Sequence, residues 1–92
     1  MAAPDADYFQ RDKPGRLEAS NAALEKALGS SPDDAEVLWR LARGLVRAGE
    51  RRQGKKAGLP EFARAESLAG MAVSLSSGSA DAWYWHGVAL GK

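Results

Sequence analysis

Trp39, Arg43 and Arg47 follow one another at intervals of four residues, which on a helix puts them on one continuous strip. An indole beside two guanidiniums can take a carboxylate through bidentate hydrogen bonds, and an aromatic or aliphatic group through stacking and burial. The strip therefore reads as a receptor for an acidic peptide, extended or helical. It lies in the basic part of a chain whose net charge is only +1: seven of the thirteen Lys and Arg residues fall between Arg40 and Lys56, opposed there by Glu50 alone. Arg51, Arg52, Lys55 and Lys56 form a second candidate surface, able to meet acidic protein tails or the phosphates of a nucleic acid. The alternative for the whole run is a solvated helix face leading into a flexible loop. No aromatic residue interleaves with the loop cations, which disfavours single-stranded nucleic acid as a partner.

Other residues that could do chemistry lack the company they need. The chain has no cysteine and one histidine, which excludes disulfides, thiolate nucleophiles and a conventional zinc site. His86 has no Ser, Cys or paired acid at a working spacing, so it is read as structural and no catalytic residue is assigned. Gly54 and Gly58 flank lysines but lack the spacing and the preceding strand of a phosphate-binding loop. No enzyme activity, metal or cofactor is expected. The segment Met1–Asp7 is acidic without an apolar core, and no apolar run reaches membrane-spanning length, so neither a secretory signal nor a transmembrane segment is read. Together with the absence of cysteine this fits the cytoplasm.

The elements that must position the strip are helical. Residues 1–15 show little periodicity and contain Pro14-Gly15, so they are read as an irregular N-terminal segment. From Arg16 to Leu28 the apolar residues Leu17, Leu24, Ala27 and Leu28 fall on one stripe, ended by Gly29-Ser30-Ser31-Pro32. Asp33 and Glu36 have the spacing of a capping box for a second helix to about Ala48, with Leu38, Leu41, Ala42 and Leu45 inward and Gly49 as its stop. A polar, glycine-rich loop over about 50–59 follows. Pro60 opens a third helix to Leu75, with Ala65, Leu68, Ala69, Ala72 and Leu75 inward. Ser79 caps a fourth helix.

Two of these helices carry the same pattern. Ala35-Glu36-Val37-Leu38-Trp39-Arg40-Leu41-Ala42-Arg43-Gly44-Leu45 returns 45 residues later as Ala80-Asp81-Ala82-Trp83-Tyr84-Trp85-His86-Gly87-Val88-Ala89-Leu90. The series Leu38, Leu41, Ala42, Leu45, followed by Gly49 and by Ala65, Ala69 and Ala72, resembles the tetratricopeptide repeat, a 34-residue helix-turn-helix unit. The resemblance covers residues 16–92 and implies an all-α, tetratricopeptide-like antiparallel helix-turn-helix stack, an α-solenoid fragment of about four helices. The surplus over a 34-residue period falls in the basic loop. With that insertion, and with the blocks from Glu36 to Arg43 and from Trp83 to Lys92, the chain is similar to the regulator of microtubule dynamics family. That likeness implies a non-enzymatic adaptor, with microtubules among its partners and a cytoskeletal association.

In tetratricopeptide arrays the first helix of each unit lines a concave groove. The motif positions that point into it correspond here to Glu36, Trp39, Arg43, Val46 and Arg47, then Asp81, Tyr84, Val88 and Lys92. The resemblance thus implies a scaffold that binds an acidic or carboxylate-bearing protein segment. The strip lacks the Lys and Asn arrangement of a chaperone-tail clamp. Electrostatic binding to a nucleic acid or another polyanion through the loop stands as the alternative. Trp83 occupies a motif core position, whereas Trp39 and Tyr84 suit either packing or partner contact. The last repeat is incomplete: Trp83, Val88 and Leu90 lack the second helix that would cover them, so a continuation of the chain or another protomer is expected there.

Overall fold

In the computed structural model, residues 2–52 and 55–92 are described, with the side chains of Ala2, Ala3 and Lys55 left aside. The described residues form five helices: α1 (Ala2–Phe9), α2 (Arg16–Ser30), α3 (Ala35–Glu50), α4 (Leu59–Leu75) and α5 (Ala80–Leu90), with a 3-10 turn over Lys55–Gly58. Successive helices pack antiparallel into an all-α domain, and α3 lies at its centre, against α2, α4, α5 and the 3-10 turn. Of the residues expected to be irregular, 2–9 instead make a helix. Pro4 sits in the first turn of α1, where its missing N–H costs nothing, and Asp5 complements the positive end of the helix dipole.

Local chemistry explains the boundaries. Gly15, at φ +77°, gives the left-handed residue that turns the chain from α1 into α2. The cap of α3 is Asp34, whose carboxylate accepts from the Glu36 N–H at 3.0 Å, one residue beyond the expected Asp33. Ser79 caps α5 as expected, accepting from the Ala82 N–H at 3.2 Å. Gly49 does not stop α3. It lies inside the helix, buried against the Phe62 ring.

The core is built on α3 and α4. Leu38, Leu41, Ala42 and Val46 are fully buried with Ala65, Ala69 and Ala72, and Leu24, Val37, Trp39, Leu68, Ala82, Trp85 and Ala89 complete the cluster. The alanines let α4 approach α3 closely, and the large leucines opposite fill the gap, which is how two helix surfaces interlock without voids. Leu75, expected inward, is exposed, as is Trp83. Trp85 takes the buried place on α5. His86 is half-buried, with its ring edge against Gly70.

Close backbone approach fixes the return from α3 to α4. A methyl group on Gly58 would stand 2.5 Å from the Gly49 carbonyl oxygen, and backbone cannot swing aside as a side chain can. Gly29 is also helical, but a methyl there meets nothing within 4 Å. Gly58→Ala is therefore expected to destabilise the domain by about 1–3 kcal/mol. Gly29→Ala should stabilise it by up to ~1 kcal/mol. Chemical denaturation of the two variants checks both signs.

Candidate functional site

The arginines of the strip are brought together as expected, and α1 lies across them. Arg43 is only 6 % exposed although it carries a full charge, so its guanidinium needs a counter-charge within reach. Asp5 supplies it: Arg43 Nη2 donates to Asp5 Oδ1 at 2.8 Å, and Arg40 Nε donates to the same carboxylate at 3.1 and 3.3 Å. One carboxylate thus joins two arginines of α3. Arg40 also pairs with Glu36 on its own helix.

Tyr8, one turn after Asp5, supplies the apolar half. It is buried, with the Arg43 guanidinium 3.6 Å and the Arg11 guanidinium 4.4 Å from its ring centroid. Its hydroxyl accepts from Arg47 Nε at 3.3 Å. Burial of such a ring contributes about 2 kcal/mol, and a desolvated guanidinium over its face adds on the order of 1 kcal/mol. Arg47 also donates to Glu50 at 2.9 Å and lies over the Trp85 ring at 5.3 Å, linking α3 to α5. Lys92 closes this edge through Glu50 at 2.6 Å.

The groove residues named from the sequence divide into two sets. Trp39, Arg43 and Val46 are buried, so they lie beneath the surface and not on it. Trp39 donates its indole N–H to Glu36 at 3.1 Å and has the Arg40 guanidinium 4.5 Å from its ring. Glu36 and Tyr84 are exposed, Arg47 and Val88 are half-buried, and these four present the accessible part of the strip. Trp83 lies on the outer side of α5, with its indole N–H donating to the Ser77 carbonyl at 2.8 Å. Asp5, Tyr8 and Arg40 complete the candidate site and were not among the residues named from the sequence. An acid one turn before a tyrosine, directly after Pro4, was the signal that could have found them.

Two of the four loop cations, Arg51 and Arg52, are engaged inside the chain. Arg52 pairs with Glu61 at 2.5 Å, and Arg51 donates to the Arg11 carbonyl at 2.5 Å, which ties the loop to the end of α1. Lys56 is exposed. The side chain of Lys55, with Gln53 and Gly54, lies outside the described residues. A shallow, mostly apolar cleft of about 400 Å³ is lined by Asp33, Gly70, Met71, Ser74 and Leu75, of which only Asp33 ionises. Among the described residues no three or more His, Asp or Glu side chains come together as a metal site, and no helix is long and apolar enough to cross a membrane.

Burial works to raise the Asp5 pKa, but the hydrogen bonds from Arg43 and Arg40 outweigh it and hold the carboxyl below its ordinary value. Glu50 is lowered in the same balance, against Lys92 and Arg47. A carboxylate whose folded pKa is depressed lends stability above its unfolded pKa, and that stability is lost as pH falls through the folded value. Stability is therefore expected to decline from about pH 4 downward. Asp5→Asn should cost about 1–3 kcal/mol at neutral pH and flatten that acid limb, as read by urea denaturation across pH. An acid limb unchanged in the variant would contradict the pairing. Comparisons with protein-family models, with curated proteins and with solved structures find no match to this chain.

Proposed function

We propose that the chain is a non-enzymatic interaction module, a tetratricopeptide-like helical stack whose α3 and α5 present a basic, aromatic surface to an acidic, carboxylate-bearing protein segment. The observation that carries this reading is the docking of Asp5 and Tyr8. A carboxylate bridges Arg40 and Arg43, and a tyrosine meets Arg43 and Arg47. The chain itself thus presents to the strip the two groups that its composition suits.

The repeat reading is supported by burial at equivalent positions. Leu38, Leu41 and Ala42 are fully buried, whereas their counterparts Trp83 and Gly87 are exposed and His86 is half-buried, as an unfinished second copy of the pattern would have it. The likeness to the regulator of microtubule dynamics family makes an adaptor role the natural setting, with microtubules a candidate partner and the cytoplasm the compartment. The alternative, polyanion binding through the loop, has less support because Arg51 and Arg52 are already paired.

Two charge-reversal variants separate the readings, with a helical acidic peptide carrying one tyrosine as the probe. Arg47→Glu is expected to weaken binding at least about fivefold, by analogy with truncation of a charged hot-spot residue. The double change Arg52→Glu, Lys56→Glu should leave affinity within about twofold, since rim charges away from the contact act mainly on association rate. The opposite pattern, with duplex DNA bound more tightly than the peptide and a steep salt dependence, would favour the loop.

A further inference from the structure

Asp5 and Tyr8 stand one helical turn apart on α1, and their contacts cover the arginines that a partner would have to reach. We propose that α1 is a resident stand-in for the partner. The partner then presents the same chemistry, a helical segment with a carboxylate one turn ahead of a tyrosine, and binds by displacing α1. This rests on the reading of the strip as a surface for acidic segments.

Several features of α1 suit a displaceable occupant. Eight residues are too few to hold a helix in water by themselves, so α1 is ordered by what it docks against. Tyr8 is its one fully buried described side chain, and the neighbouring Phe9 is 72 % exposed. Asp12, Lys13, Pro14 and Gly15, between α1 and α2, are all exposed, so the connection between the two helices is not itself held by burial. α1 packs on α2, where the buried Ser20 hydroxyl donates to the Pro4 carbonyl at 2.9 Å and Arg16 pairs with Asp7 at 3.0 Å near the surface, so displacement exchanges these contacts as well.

The occupant also leaves the site incompletely satisfied. Arg43 Nε is buried without a hydrogen-bond acceptor, because Asp5 engages Nη2 and Tyr8 offers that side of the guanidinium a ring. A segment that brings one more acceptor to this position gains a charge-assisted bond that α1 lacks. Arg11 and Arg51 give the opening a further consequence: the Arg51 guanidinium holds the Arg11 carbonyl, so release of α1 frees a cation of the basic loop as well.

The experiment uses the full chain and, as its probe, a fluorescein-labelled peptide of residues 1–12. Two variants undock α1 by different routes: Asp5→Lys with Tyr8→Ala removes its contacts, and Ala6→Pro breaks its helix while leaving the strip untouched. Because a docked α1 lowers apparent affinity by the fraction of open protein, both variants are expected to bind the peptide at least about tenfold more tightly than the wild type. The same peptide with Asp5→Asn and Tyr8→Ala should not bind. Equal affinity for wild type and both variants would overturn displacement and leave the strip standing. Absence of binding to variants that keep the helical circular dichroism of α2–α5 would overturn the strip reading as well. Loss of that helical signal in both variants would make α1 a fixed part of the core and overturn the proposal.

Discussion

Arg43 sits at the middle of α3, the helix that meets nearly every other element, and its guanidinium is almost wholly withdrawn from water. A charge in that position is tolerated only if an opposite charge and further polar or π partners replace its hydration. Asp5 and Tyr8 provide both, and they tie α1, which packs on α2, to α3 as well. Arg40 and Arg47, one turn to either side, extend the same arrangement toward Glu36 and toward Glu50, Lys92 and Trp85. A single buried cation thus links α1 to the strip.

The opposite side of α3 obeys a steric constraint. Ala65, Ala69 and Ala72 let α4 come close to Leu38, Leu41 and Ala42, and the chain reverses between them through a turn where Gly58 touches the Gly49 backbone. Arg52 bonded to Glu61 holds this turn from outside. The added length between the two copies of the repeated pattern therefore has structure at its end, the Lys55–Gly58 turn. The exposed Trp83 on α5 occupies the position that, on α3, is held by the fully buried Leu38. The same pattern has two fates because burial depends on the neighbour as well as on the residue.

The helices from Arg16 to Leu90 were legible because helical periodicity and turn residues agree there: Leu17 and Leu24, the Leu38–Leu45 series, and the Ser79 cap all act locally. Local rules failed where tertiary contact decides. Gly49 carries a stop signal, but packing against Phe62 carries α3 through it to Glu50. Leu75 and Trp83 fit an inward pattern at the ends of their helices, yet both are exposed. Residues 2–9 are too short a stretch to show a period, and Asp5 and Tyr8 bond to partners 35–39 residues away, a distance that no short-range pattern records. For the site, spacing on α3 placed Trp39, Arg43 and Arg47 correctly on one strip. Whether that strip was open or covered depended on Asp5 and Tyr8.

The central claim is that Asp5 and Arg43 act as a pair across the α1–α3 contact. A double-mutant cycle with Asp5→Asn and Arg43→Met, read by urea denaturation at neutral pH, measures that pairing directly. A coupling of about 1.5 kcal/mol or more is predicted for a charge-assisted bond at a buried guanidinium. Additivity of the two changes to within about 0.5 kcal/mol would contradict it.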